Sequence, residues 1–383
     1  MVYDKSTKKL TKISKLNLTD FRNHSYSSIT SDKDFILLTG SNGSGKTNVL
    51  EAISMFTASK GLRGSNLADQ SNTNGSGGWS VFMEVHSELG NLKLGTGINK
   101  PDLINGKTRQ CRVEGTSYKS PKIFTNYLGI IWLTPQMDGL FIGQRSDRRK
   151  FFDKLINLLE IEHSENVKSY ERLIMQRNKV LARLDILEDK WLDNIEKQIA
   201  QLATQIFISR DLAVSKINKI MEEEVRSNLF PAAKIVMRQE IGNINLHSDM
   251  EEIEENFKNL FFEYRKKDKA TFKANFGPHR TDFTLLYKKN DMFAENCSTG
   301  EQKNLLVSLI LAEARVFLNN NDNLPILLLD EITAHMDNKR LENLFDQISD
   351  IGSQAWFTGT SPDFFSHISN KTDIFEISDG KLI

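Results

Sequence analysis

Gly40-Ser41-Asn42-Gly43-Ser44-Gly45-Lys46-Thr47 fills every fixed position of a phosphate-binding loop, and its flanks give it a place in a fold. Phe35-Ile36-Leu37-Leu38 ahead of it is a short apolar run that reads as a buried strand. Val49 to Phe56 behind it reads as a helix, with Leu50, Ile53 and Phe56 on one face. Strand, glycine loop and helix in that order aim backbone N–H groups and the positive end of a helix dipole at a triphosphate. Gly40, Ser41, Asn42, Gly43, Ser44 and Gly45 are then the cradle. Lys46 is expected to neutralise the β- and γ-phosphates, and the Thr47 hydroxyl to ligate Mg²⁺. The chain reads as an α/β protein that binds a nucleoside triphosphate.

Far downstream, Pro325-Ile326-Leu327-Leu328-Leu329 is a second apolar strand, and it ends in Asp330-Glu331. Paired acids at such a strand end suit the other half of a nucleotide site, with Asp330 in the Mg²⁺ shell and Glu331 as general base for the attacking water. Between the two lies Ser298-Thr299-Gly300-Glu301-Gln302, opening a helix with Leu305, Leu306, Leu309, Ile310 and Phe317 inward. A Ser-x-Gly turn at a helix start offers a hydroxyl and backbone donors to an anion, and by itself is a good N-cap.

Three regions differ in pattern. From Ile13 to about Leu133 the signals are mostly short strands: Val81, Met83 and Val85 alternate with Phe82, Glu84 and His86, and Ile130-Ile131-Trp132-Leu133 is closed by Pro135. Ser71 to Gly78 is polar and glycine-rich, a flexible loop. From Asp147 to Lys269 the pattern is helical. Leu192, Ile195, Ile199, Leu202 and Ile206 form a seam, and Leu173, Val180, Leu184 and Leu187 form a matching stripe, with Glu188-Asp189-Lys190 as the turn. The seam loses register after Ser209. An arm-like hairpin and an ordinary helical subdomain fit this pattern equally. From Phe272 the α/β character returns, with Ala355-Trp356-Phe357-Thr358 and Ile374-Phe375-Glu376-Ile377 as later strands. The expected organisation is a head split between 1–146 and 271–383, with a helical arm or lid at 147–270.

Composition narrows the class. The chain of 383 residues is 26% charged, with 50 basic and 50 acidic residues, so no global field draws it to nucleic acid. Cys111 and Cys297 lie far apart without metal-ligand spacing, which points to free thiols in a reducing compartment. Leu305 to Leu318 is interrupted by Glu313 and Arg315 and is too short for a bilayer. Lys5, Lys8, Lys9, Lys12 and Lys15 are followed by no apolar core of a signal peptide. A soluble, cytoplasmic protein with no membrane partner is expected.

Ser298-Thr299-Gly300, Asp330-Glu331 and Asp337 together resemble the ATP-binding-cassette (ABC) superfamily. The resemblance implies an ABC-type ATPase head, a mixed sheet with a P-loop, interrupted by an inserted α-helical arm. It implies that Ser298 and Gly300 of one subunit cap the γ-phosphate of ATP held by another, with Asp337 at the same nucleotide interface. Gln136, in Leu133-Thr134-Pro135-Gln136, matches a glutamine that senses Mg²⁺ and water.

Within that superfamily the chain resembles, nearly end to end, the RecF family of bacterial recombination-repair ATPases. The similarity is carried by Phe21-Arg22-Asn23-His24, Thr47-Asn48-Val49-Leu50-Glu51-Ala52-Ile53 and Arg145-Ser146-Asp147-Arg148-Arg149-Lys150-Phe151-Phe152-Asp153. Tyr170 with Gln176-Arg177-Asn178, and Gly277-Pro278-His279-Arg280-Thr281-Asp282, complete it. It implies an ATP-dependent homodimer that binds gapped or junction DNA and works with RecO and RecR in loading RecA. A weak, DNA-stimulated ATPase follows from the same likeness.

The chain departs from the superfamily at Thr299 and Glu301 of the signature. It departs again at Thr358-Gly359-Thr360-Ser361, where transporters carry a switch histidine; that loss points to slow hydrolysis. Arg145, Arg148, Arg149, Lys150 and Lys154 form one basic cluster, and Lys107, Arg109, Arg112, Lys119 and Lys122 another. Alone these read as solvated faces; the resemblance makes them candidate DNA contacts.

The rival reading is the ATPase subunit of a transporter, in which P-loop and signature usually lie much closer than Lys46 and Ser298 do here. A chromosome-structuring protein of the SMC kind would need a far longer coiled coil. An OLD-type nuclease would need a further acidic domain after Asp337.

Overall fold

The computed structural model describes residues 10–87, 90–100, 102, 109–183, 190–223, 231–238, 249–321, 323–332, 336–359 and 363–383. Lys5, Lys8, Lys9, Lys107, Leu184, Leu187, the Glu188–Asp189 turn, Thr360 and Ser361 lie outside the described residues. The chain forms two compact units, one from Met1–Asp138 with Leu306–Ile383, the other from Gly139–Arg226 with Pro231–Leu305.

The first unit opens with β1 (Thr11–Phe21), β2 (His24–Thr30), β3 (Phe35–Thr39) and α1 (Lys46–Ser54). It continues through β4 (Trp79–Ser87), β5 (Gly90–Ile98), β6 (Gln110–Val113), β7 (Thr116–Tyr118) and β8 (Gly129–Leu133). The second unit holds α2 (Arg145–Leu159), α3 (His163–Leu181), α4 (Lys190–Glu223), β9 (Ala233–Arg238), α5 (Met250–Thr271), β10 (Asp282–Tyr287) and β11 (Met292–Phe293). Helix α6 (Thr299–Asn320) leads back to the first unit. That unit ends with β12 (Pro325–Leu329), α7 (Asn338–Ile351), β13 (Ala355–Thr358), β14 (Thr372–Ser378) and β15 (Lys381–Leu382).

Two sheets build the first unit. One is antiparallel in the order β2-β1-β4-β5-β6-β7; the other runs β15-β14-β3-β13-β12-β8. In the second, β14, β3, β13, β12 and β8 are all parallel, and β15 closes the edge antiparallel to β14. Strands β3, β12, β13 and β8 are buried at every residue. That explains their continuous apolar runs, because a parallel sheet is covered on both faces. Leu16, Leu18, Val81 and Met83 from the antiparallel sheet meet Val49, Leu50 and Ile53 of α1 and Ile36, Leu38, Ile326 and Leu328 of the parallel sheet in one core. On the opposite face Phe35 and Phe357 pack on Phe345 of α7, at ring distances of 5.6 and 5.5 Å.

The sheet order sets up the chemistry. The P-loop strand β3 and the acid-bearing strand β12 are not neighbours; β13 lies between them. Because the strands are parallel, Thr39, Thr358, Leu329 and Leu133 all end at the same edge, where α/β sheets receive their ligands.

In the second unit the apolar seam on α4 is buried at Leu192, Ile195, Ile199 and Ile206, as its spacing predicts. The helix does not stop where the seam breaks at Ser209. It continues to Glu223 with Arg210 in the next buried place, its charge met by Asp153 at 2.9 Å. Helix α5 joins α3 and α4 in that core through Phe257 and Phe261, so the arrangement is three helices rather than a hairpin. The helical reading also missed β9, which pairs antiparallel with β10.

The loop Gly277 to Asp282 is fixed from several sides. Gly277 sits at φ 119, and a Cβ there would collide with the Tyr170 hydroxyl. Arg210 Nη1 donates to the Pro278 carbonyl at 2.7 Å, and Arg149 Nη1 to the Thr281 carbonyl at 3.2 Å. The His279 ring has the tautomer its partners require: Nε2–H donates to the Ala274 carbonyl at 3.2 Å, and Nδ1 accepts the Tyr170 hydroxyl at 2.8 Å. Burial pushes the His279 pKa down to about 4, with the Arg149 and Arg280 charges acting in the same direction.

A buried base whose folded pKa lies below its ordinary value stabilises the fold fully above about pH 6.5. That stability is lost as the pH falls toward 4. Urea unfolding across this window should show a loss of up to about 3 kcal/mol, absent in His279→Gln; an unchanged profile in that variant would refute the assignment.

Candidate nucleotide site

The P-loop leaves β3 at Thr39 and enters α1 at Lys46. Two of its glycines are required by neighbours. Gly40, at φ 137, has no room for a Cβ beside the Ile377 carbonyl, and Gly45, at φ 119, has none beside the Asn23 and His24 side chains. Helix α1 carries no acid in its first turn, so the positive end of its dipole is left for a ligand.

Lys46 arches back over the loop, and its Nζ donates to the Gly40 and Ser41 carbonyls, each at 2.8 Å. Burial pushes its pKa down while the Glu331 and Asp330 carboxylates pull the other way. The Ser44 hydroxyl is buried in the loop with no hydrogen-bond partner among the described residues. A buried orphan hydroxyl in a cradle of amides is the group that a phosphate oxygen would satisfy, so the residues fit a triphosphate.

The cradle is held from behind by the turn after β1, a role that was not deduced from its sequence. Asn23 Nδ2 and the Gly380 amide both donate to the Ser44 carbonyl, at 2.9 and 2.8 Å. His24 Nε2–H donates to the Gly45 carbonyl at 3.1 Å. Arg22 forks onto both oxygens of the fully buried Glu51, at 2.9 and 2.6 Å, and Arg63 adds a contact at 2.9 Å. The Phe-Arg-Asn-His run is therefore a brace for the P-loop and the first turns of α1.

The acids stand at the end of β12. Asp330 Oδ1 accepts from the Thr47 hydroxyl at 2.9 Å and from the Thr358 hydroxyl at 2.7 Å. The structure thus brings Thr47 and Asp330 within hydrogen-bond distance of each other. Glu331 takes a left-handed backbone, φ 51, and exposes its carboxylate. Gln136 is exposed in the short turn Pro135–Met137 that leaves β8 at the same edge.

Asp337 caps α7, its Oδ1 accepting the Arg340 amide at 2.9 Å. Ser298 and Gly300 belong to the second unit. There Ser298 forms a capping box: its Oγ and amide both donate to Glu301 Oε2, at 2.8 and 2.9 Å. Those bonds hold the Glu301 carboxylate below its usual range and explain an acid at this position of the signature. Gly300 is exposed, and a Cβ there would meet nothing within 4 Å.

No family model matches the chain. Curated relatives do. The DNA replication and repair protein RecF of Rhizobium etli (strain CIAT 652) is 38% identical over 372 residues, 97% of this chain and 98% of its own. The protein of that name from Agrobacterium fabrum is 37% identical over 371 residues, with the same coverage.

The chain belongs to the RecF family.

Among solved structures, RecF-ATPrS, described as the recombination mediator protein in the RecFOR pathway, superposes with a TM-score of 0.84 at 21% identity over 98% of both chains. The Smc head domain of Pyrococcus furiosus follows at 0.53 and 16% identity. The fold is that of an ABC-type ATPase head shared by RecF and SMC proteins.

Two basic residues read as candidate DNA contacts in this chain are buried in the fold. Arg109 is buried, donates through Nη2 to the Thr57 and Ser59 carbonyls at 2.8 and 3.1 Å, and has its pKa pushed down to about 10 by burial. Arg148 clamps Asp282 with two bonds of 2.8 and 2.9 Å and also donates to the Phe141 and Gly143 carbonyls. Both guanidiniums are held inside the fold, away from solvent. Arg112, Arg145 and Lys150 remain exposed.

Proposed function

We propose that this chain is an ATP-dependent DNA-binding repair protein whose nucleotide acts as the contact between two copies. The observation that carries the reading is the gathering of Lys46, Thr47 and Asp330 around a loop with an unsatisfied Ser44 hydroxyl. Relatives named for DNA replication and repair, and a solved RecF-ATP structure, support ATP as the ligand and repair as the setting.

In this scheme Gly40 to Gly45 hold the phosphates through backbone N–H groups, and Lys46 swings from its own loop carbonyls to the β- and γ-oxygens. Thr47 and Asp330, with Gln136 nearby, would hold Mg²⁺. The ion would supply charge neutralisation to the triphosphate. Glu331 accepts a proton from the attacking water. Ser298 and Gly300 of a second copy cover the γ-phosphate, and Asp337 lies at that interface. Hydrolysis removes the shared anion and loosens the pair. No histidine stands at Thr358 or Gly359, which fits a slow ATPase, stimulated by DNA. The partners are gapped or junction DNA, RecR and RecO, with loading of RecA in the cytoplasm as the outcome.

Sedimentation with ATP and gapped DNA tests the scheme. The wild type should shift to a dimer; Ser298→Arg should bind ATP with affinity within about threefold yet stay monomeric, because a bulky cation replaces the hydroxyl facing the partner's phosphate. A Ser298→Arg protein that dimerises like the wild type would sink the shared-site reading.

A further inference from the structure

Strand β13, inserted between the P-loop strand and the acid strand, ends in Thr358, whose side chain is fully buried. Its hydroxyl is used twice. It donates to Asp330 Oδ1 at 2.7 Å and accepts the backbone N–H of Glu331 at 2.8 Å. Asp330 Oδ1 in turn accepts the Thr47 hydroxyl at 2.9 Å, so one oxygen atom joins the P-loop, β12 and β13. The position of Thr358 is set by strand register: β13 pairs with β3 through Thr358 and Leu38, and with β12 through Phe357 and Leu329.

We propose that Thr358 is a positioning residue for the ATPase reaction, its hydroxyl fixing the orientation of Asp330 and the backbone of Glu331 together. This rests on the ATPase reading above. Glu331 lies at φ 51, a conformation that non-glycine residues seldom hold unaided. Its N–H bond to Thr358 is the restraint that keeps it there and so aims the general base. Asp330 Oδ1 thus has a donor in Thr358 that is independent of Thr47, the residue that would share Mg²⁺ with it. A hydroxyl that accepts from an amide and donates to a carboxylate is strengthened in both bonds, and valine, of the same shape, has neither.

The experiment compares wild type, Thr358→Val and Thr358→Ser. In nucleotide-free protein the Glu331 amide should exchange with deuterium at least tenfold faster in Thr358→Val and near the wild-type rate in Thr358→Ser. Single-turnover ATP hydrolysis should fall about 10- to 100-fold in Thr358→Val, with ATP affinity changed less than about threefold, and recover in Thr358→Ser. Unchanged Glu331 exchange in Thr358→Val, or equal hydrolysis in Val and wild type, overturns the proposal. So does a loss of hydrolysis that serine does not rescue. A wild type that neither binds nor hydrolyses ATP would instead defeat the ATPase reading, while the exchange measurement would still report on the restraint.

Discussion

Glu331→Gln should bind ATP, hydrolyse it roughly a hundred- to ten-thousandfold more slowly, and accumulate as a dimer. Glutamine keeps the size and the exposed position of Glu331, so the Thr47–Asp330 contact, the Lys46 contacts and the Ser44 hydroxyl are left as they are. It has no carboxylate to take a proton from water. The amide N–H that meets Thr358 belongs to the backbone and is also unchanged. Binding and chemistry are thus separated by one atom. Quenched-flow hydrolysis and sedimentation in ATP with gapped DNA provide the two readouts. A variant that stays monomeric under those conditions would show that the nucleotide does not join two copies.

The second large effect lies in the helical unit and does not depend on the nucleotide. Arg177, with no exposed side-chain surface, donates to Glu196 at 2.8 Å, to Asp268 at 2.6 Å and to the Phe261 carbonyl at 2.8 Å. Arg265 closes the cluster on Glu196 at 2.6 Å. Asp268 uses its other oxygen to hold the Asn275 amide at 3.0 Å. One guanidinium therefore ties α3 to α4 and α5.

Arg177→Ala leaves two buried carboxylates with a single arginine, a loss of about 3–5 kcal/mol. Urea unfolding followed by circular dichroism should show it. The quadruple variant Arg177→Met, Arg265→Met, Glu196→Leu, Asp268→Leu should regain much of the stability, since removing both arginines together with their buried carboxylates also removes the desolvation cost. A single variant within about 1 kcal/mol of wild type would mean that the cluster is well solvated.

Much of this protein could be read without coordinates, for a definite reason. The P-loop works through contiguous residues: strand, turn and helix follow one another, and Gly40 to Thr47 do their work within the loop they form. The same holds for the capping box at Ser298 and Glu301, four residues of one helix start. The parallel strands were legible because burial on both faces demands unbroken apolar runs, as in Pro325–Leu329 and Ala355–Thr358. In the second unit the pattern was weaker. Strand β9 is short and half-exposed, with a basic residue at Lys234, and within a helical region it left no signal to find.

Charge misled where spacing did not. Arg109, Arg148 and Arg177 look like any other surface cations in a chain with 50 of them, yet each is buried against carbonyls or carboxylates. Sequence records that a guanidinium is present; its solvation depends on which acceptors the fold brings to it. Asp282 is far from Arg148 along the chain, and Asp268 is far from Arg177.

The sequence by itself thus determined the nucleotide cradle, the acid strand and the family, because these rest on local order and local chemistry. The tertiary structure alone decided that the Asn23–His24 turn braces the cradle and that Thr358 joins Asp330 to Glu331. The physical reason is that hydrogen bonds reach about 3 Å, and only the register of parallel strands brings residues so distant in sequence within that reach.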